Sequence, residues 1–147
     1  MSITQAMCTL FKMDVMLGDH HLDTDDIRIA LYTDAATLNA TTDGYITAGE
    51  VSASGTNYTT TGVALGTKSV IENSTSGCFT SANPEWTSAT FTANGALIYN
   101  KTLGDASSNA KGAIAVLAFG GNFTVAGGTF KIVFPAPTAN NAIVRID

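Results

Sequence analysis

Imidazole and carboxylate side chains are concentrated in one short segment near the amino terminus, DHHLDTDD. The segment contains His20, His21, Asp23, Asp25 and Asp26, and these are side chains that can bind a divalent cation. Their spacing matches neither an EF-hand loop nor a zinc signature, and a solvated loop after a helix has the same composition. We therefore expect no tight metal site in this segment.

The other reactive side chains form no recognisable catalytic pattern. Serine and threonine are abundant, but the G-x-S-x-G turn that presents a serine nucleophile is absent. Asp19 with Asp105, or Glu50 with Glu72, could serve as the two carboxylates of a glycosidase, yet nothing in the sequence selects either pair. The glycine-rich stretch FGGNFTVAGG lacks the G-K-[ST] of a phosphate loop and is expected to be a tight hairpin end. The sequence thus predicts neither an enzyme nor a cofactor.

Composition limits the classes of partner. Of 147 residues, 45% are hydrophobic and 13% are charged, about half of the ~25% charged residues in ordinary soluble domains. The net charge of −5 argues against nucleic acid, and no apolar run is long enough for a membrane span or a secretory signal. Cys8 and Cys78 are expected to be reduced and buried. So low a charge favours a surface that other protein subunits cover.

The sequence predicts one amphipathic helix, Ser2–Leu17, and residues 1–18 are expected to form a separate N-terminal helical region. Ser2 and Gln5 match a capping box, and Gly18 is a natural stop. Apolar residues recur at intervals of three and four, which makes a wide, methionine-rich stripe. We expect this stripe to bind a partner through Ile3, Met7, Leu10, Phe11, Met13 and Leu17.

Residues 19–147 are rich in threonine, glycine and asparagine and are typical of strands joined by turns. IRIALYT alternates as a strand with one buried face does, whereas AIAVLAFG is apolar on both faces. The second face of AIAVLAFG must be covered by the helix or by a neighbouring copy. We expect a mainly β fold: one antiparallel, jelly-roll-like β-sandwich of about eight strands that follows the N-terminal helix.

The whole chain resembles the small structural proteins of tailed-bacteriophage virions. The resemblance covers nearly the full length and is most specific in the blocks GALIYN and NAIVRI. It is carried by Phe11-Lys12, Ile27 to Leu38, Tyr45 to Tyr58, Trp86 to Asn100, Ala115 to Gly120 and Phe130 to Ile146.

This resemblance implies a part of the phage particle and no catalytic residues. The expected role is a capsid decoration or cement protein that stabilises the shell through non-covalent contacts with the major capsid protein or other virion proteins. The implied location is the virion, assembled in the cytoplasm of the bacterial host. A homo-oligomer, with a trimer favoured, is the expected unit.

The alternative is a module of the tail, neck or fibre, which could bind a receptor or a glycan. Exposed aromatic side chains separate the two roles, because sugars stack on them. Tyr45, Tyr58 and Trp86 are the candidates outside the predicted strands, and Trp86 is expected in the core or at a subunit contact.

Overall fold

The computed structural model describes residues 1–106, 111–138 and 140–147. The elements in chain order are β1 (Ala6–Met7), α1 (Thr9–Leu17), β2 (Ile27–Tyr32), β3 (Val63–Ala64), β4 (Ser69–Asn73), β5 (Ser76–Thr80), β6 (Glu85–Asn100), α2 (Lys101–Ala106), β7 (Ala113–Lys131) and β8 (Val144–Ile146).

The described strands form two antiparallel sheets, with the orders β1-β7-β6-β2-β3 and β4-β5-β8. The expectation of a mainly β fold with a short helix near the N-terminus is confirmed. The jelly-roll-like arrangement is not confirmed by this strand order. One continuous hydrophobic core joins the two sheets, since Phe79 and Val144 of the smaller sheet belong to the same buried cluster as β2, β6 and β7.

The predicted start of the helix is wrong. Residues before Thr9 are extended: Ile3 bridges to Leu38, and β1 pairs with β7. The backbone N–H of Thr4 donates to Leu38 O, and that of Cys8 donates to Ile114 O. These sheet hydrogen bonds replace the helical ones that the capping box suggested, because tertiary pairing outweighs local propensity. Gly18 ends the helix in the left-handed conformation, as predicted.

The predicted hairpin in FGGNFTVAGG is also wrong. β7 runs without a turn from Ala113 to Lys131 along the whole of β6. Gly120 and Gly127 have positive φ angles of 80° and 67° and coincide with irregularities in the pairing register. Here glycine produces bulges, which bend a strand without reversing it.

The segment VALGTKSVIE is divided between β3 and β4, which belong to different sheets. IRIALYT forms β2, but the expectation that only one of its faces is buried is wrong. In β2 only Arg28 is not fully buried, because β2 lies between two other strands and is covered on both faces.

The strand that is apolar on both faces finds its cover within the same chain. Ala113 to Val116 are buried, and helix α1 packs against β7. The helix therefore supplies a cover that the sequence required, although it also carries side chains that point away from the core.

Candidate interaction surface

Helix α1 turns Phe11 inward and Lys12 outward, as an ordinary surface helix does, but its second half departs from that pattern. Its acidic residue Asp14 is 7% exposed, whereas Met16 is 81% and Leu17 66% exposed. Helices of globular proteins place apolar side chains inward and charged ones outward. Met16 and Leu17 therefore form an exposed apolar patch at the end of the helix, a feature that is common at protein interaction sites.

Asp14 lies beside His20 without a hydrogen bond to it, and His20 Nε2 has no hydrogen-bond partner among the described residues. The Nε2 atom of His20 is 3.8 Å from Asp14 Oδ2. The Asn100 side-chain amide donates to Asp25 Oδ2 (2.7 Å) and lies 3.2 Å from His20 Nδ1. Because the amide is a donor, Nδ1 accepts, and the neutral imidazole carries its proton on Nε2.

Burial lowers the pKa of His20, and the nearby carboxylates of Asp14 and Asp25 only partly oppose that shift. The ring also lies edge-on against Phe11, with centroids 4.8 Å apart. His20 and Asp25 thus anchor the loop after α1 to the end of β6. In the described part of the chain, no group of three or more His, Cys, Asp or Glu is placed to hold a metal ion.

We expect acidification to destabilise the fold through His20. A histidine whose pKa is lower in the folded state favours folding at high pH, and this stability is lost as pH falls below the unfolded-state value of about 6.5. The free energy of unfolding, measured by urea titration, should therefore fall between pH 7.5 and 5.5. In the His20→Gln variant, the free energy of unfolding should depend less on pH. The control variant His21→Gln changes an exposed neighbouring histidine and should show the same pH dependence as the wild type. If the free energy of unfolding fell equally steeply with pH in the wild type and in His20→Gln, this role of His20 would be contradicted.

The six residues predicted to bind a partner separate into two groups. Phe11 is 1% exposed and belongs to the core, which contradicts its predicted role. Ile3 and Met7 are partly buried against the core, and Ile3 lies where a side chain on Gly95 would be. Ile3 and Met7 therefore contribute mainly to the fold.

The remaining predicted residues stay at the surface. Met13 and Leu17 are 46% and 66% exposed. Leu10 and Met13 line a groove of about 320 Å³ together with Thr9, Thr41 and Asp43. Met16, which the sequence analysis missed, is the most exposed apolar residue of α1. We define the outer α1 face as Leu10, Met13, Met16 and Leu17.

A second network, around Glu50, was also missed. Glu50 Oε1 accepts hydrogen bonds of 2.8 Å from the Tyr58 hydroxyl and from the Thr61 N–H, and Tyr45 donates to Oε2. The Tyr58 hydroxyl accepts in turn from Leu31 N–H of β2. No local sequence pattern predicts this network, because the hydrogen-bonded residues come from distant parts of the chain.

The Glu50 network is suited to a structural role. Burial raises the pKa of Tyr58 and of Tyr45, and it raises the pKa of Tyr99 to about 12. These phenols stay protonated near neutral pH and serve as hydrogen-bond donors. Glu72, the residue considered as a carboxylate partner, lies on β4 of the other sheet. The network therefore fixes the long segment between β2 and β3 against the sheet.

The aromatic residues considered for sugar stacking are mostly internal. Tyr58 is 3% and Trp86 4% exposed, and their rings stack with centroids 6.4 Å apart. Trp86 therefore lies in the core, one of the two positions expected for it. Tyr45 is partly exposed, but its ring stacks on Tyr99 at 5.2 Å and its hydroxyl is bound to Glu50.

Both cysteines, Cys8 and Cys78, are buried and free. Burial raises the pKa of the Cys8 thiol to about 11, which keeps it in the unreactive thiol form. Among the described residues, no helix has the length and apolar character needed to cross a bilayer.

Comparison of the chain with protein-family models, with curated proteins and with solved structures finds no match.

Proposed function

We propose that this chain is a structural component of a tailed-bacteriophage particle, with a capsid decoration or cement role as its most specific form. It acts by binding to other virion proteins, the major capsid protein foremost, and performs no chemistry. The proposed location is the virion, assembled in the cytoplasm of the bacterial host. The attribution to a phage is supported by the resemblance of its sequence blocks, above all GALIYN and NAIVRI.

The observation that carries the proposal is the exposed apolar patch in the second half of helix α1. Exposing Met16 and Leu17 while burying Asp14 is unfavourable for an isolated protein and favourable for one whose helix is covered. The low fraction of charged residues, 13%, also favours a covered surface, because subunit interfaces are depleted of charged residues at their centre. The carboxylate of Glu50 is engaged in internal hydrogen bonds with Tyr45, Tyr58 and Thr61, which supports a structural role for it.

The burial of Tyr58 and Trp86 supports a shell role over the glycan-binding one. A glycan platform needs an accessible aromatic face, and these two rings are nearly inaccessible. Exposed apolar side chains on a helix are suited to protein contacts, in which methionine adapts well to irregular surfaces.

We expect Met16→Glu to reduce incorporation into particles by about tenfold or more, because a carboxylate would be buried in an apolar contact. The matched control is Lys12→Gln, which makes the same change of −1 in net charge at an exposed position of the same helix. Particles that lack the protein would be incubated with each purified variant, and occupancy would be measured by quantitative mass spectrometry. Equal occupancy by Met16→Glu and the wild type would refute a role of this face.

A further inference from the structure

The outer edge of β4 is an unpaired strand edge. β4 pairs with β5 on one side only and ends its sheet. Among the described residues, no backbone hydrogen bond from another segment reaches its other side. Val70 is 54% and Ile71 37% exposed, so both faces of this edge strand present apolar side chains to solvent.

The hairpin geometry identifies which backbone groups face outward. β4 and β5 are joined by the two-residue turn Ser74-Thr75, with Asn73 opposite Ser76. In such a hairpin the closing pair is hydrogen-bonded, and pairs then alternate along the strands. Glu72 is therefore not hydrogen-bonded to Gly77, which lies opposite it, and Val70 is not hydrogen-bonded to Phe79. The N–H and C=O groups of Val70 and Glu72 consequently point to the open edge.

Most proteins protect such an edge with charges, proline or a covering loop. Here one charge of each sign lies two positions from Val70: Glu72 within β4, and Lys68 directly before its first residue, Ser69, so that a pairing that includes Lys68 extends one residue beyond β4. Glu72 is exposed, and Lys68 reaches only the carbonyl of Leu65 at 3.5 Å. Neither side chain has an ion-pair partner among the described residues.

We infer that β4 pairs with β4 of a second copy of this chain, antiparallel, about a two-fold axis at Val70. In this register Val70 faces Val70 of the other copy, and each Lys68 faces a Glu72. The outward backbone groups of Val70 then hydrogen-bond across the axis. The product is a six-stranded intermolecular sheet of order β8-β5-β4-β4-β5-β8.

The charges of Lys68 and Glu72 favour a second copy of this chain as the partner of β4, and they also favour this register. An antiparallel second copy places its Glu72 opposite Lys68 and its Lys68 opposite Glu72, so this edge is complementary in charge to itself. Directly opposite residues of antiparallel strands have Cβ atoms about 4.5–5.5 Å apart, which is close enough for Lys68 and Glu72 to form an ion pair. Centring on Ile71 would place Glu72 opposite Val70 and lose both pairs. The pairing does not depend on the particle role.

The test is the mass of the full chain in solution, measured by sedimentation over a range of concentrations. The wild type should dimerise. Lys68→Glu places two carboxylates opposite two others and should weaken dimerisation by about ten- to a hundredfold. The double variant Lys68→Glu/Glu72→Lys reverses both pairs and should recover wild-type affinity. Lys12→Glu makes the same change in net charge on α1 and should leave the dimer intact.

A backbone test complements the charge test. Val70→Pro removes an outward N–H without removing a bond to β5, and it should yield a monomer, whereas Val70→Thr keeps the N–H and should remain dimeric. A monomeric wild type, a trimer, a dimeric Val70→Pro, or a double variant as weak as Lys68→Glu would each overturn the inference. Met16→Glu should stay dimeric, so failure of the particle role and failure of this contact are distinguishable.

Discussion

Phe11→Ala is expected to lower the free energy of unfolding by about 3–5 kcal/mol. Phe11 is 1% exposed, contacts the His20 ring and belongs to the main hydrophobic core, so its removal leaves a cavity beneath α1. Met13→Ala is the matched control, because it shortens a half-exposed side chain of the same helix and should cost less than about 1 kcal/mol. Urea denaturation at pH 7.5 measures both. Similar small losses for both variants would show that α1 is not anchored through Phe11.

This result also bears on deletion of residues 1–18. Such a deletion would not isolate the role of the outer α1 face, because it removes β1 from the edge of the sheet and Phe11 from the core. Point substitutions on the outer α1 face are therefore the appropriate test of assembly.

Gly62→Ala is expected to prevent folding or to cost more than about 4 kcal/mol. Gly62 has a φ angle of +74°, and a Cβ atom there would lie 1.9 Å from the carbonyl oxygen of Ile29 in β2. Gly55→Ala separates the two causes, because Gly55 has a similar φ of +71° with open space around it. Gly55→Ala should lower the free energy of unfolding by only about 1–2 kcal/mol, because it introduces backbone strain without a steric overlap.

Thermal unfolding followed by circular dichroism compares the two alanine variants. A Gly62→Ala protein as stable as Gly55→Ala would mean that the segment before β3 is not held against β2 as described. A folded and severely destabilised Gly62→Ala protein would agree with the close approach, since a local shift of the backbone can relieve part of the overlap.

The sequence predicted the strands better than it predicted their partners. Alternation in IRIALYT placed β2 correctly, because the period of two is local. The single strand β7 was missed because Gly120 and Gly127 are read as turn signals, and only pairing with β6 shows them to be bulges. Likewise, nothing local shows that residues 3–7 are extended, since their hydrogen-bond acceptors lie at Leu38 and in β7.

The candidate surface was only half predictable. A helical stripe at intervals of three and four identifies apolar residues, but a stripe this wide cannot show which side faces the core. In the structure Phe11 and Asp14 face inward, and Met16 and Leu17 face outward. His20 and Asp25 appeared as possible metal ligands, yet their contact with Asn100 depends on a residue far along the chain.

The oligomeric state expected from sequence also differs from the one that the β4 edge supports. A two-fold contact between identical edges closes with two chains, whereas a trimer needs contacts between different surfaces. The two proposed contacts use different parts of the chain: β4 for the pairing of two copies, and the outer α1 face for binding to the particle.

The number of copies of this chain in purified particles tests the proposed function most directly. Particles produced from the genome that encodes the chain would be purified by density gradient, and copies would be counted by quantitative mass spectrometry against the major capsid protein. A shell decoration protein is expected on the order of hundreds of copies, because it occupies symmetry-related sites across the capsid. A few copies would place it in the tail, neck or fibre, and its absence from purified particles would contradict the proposed function.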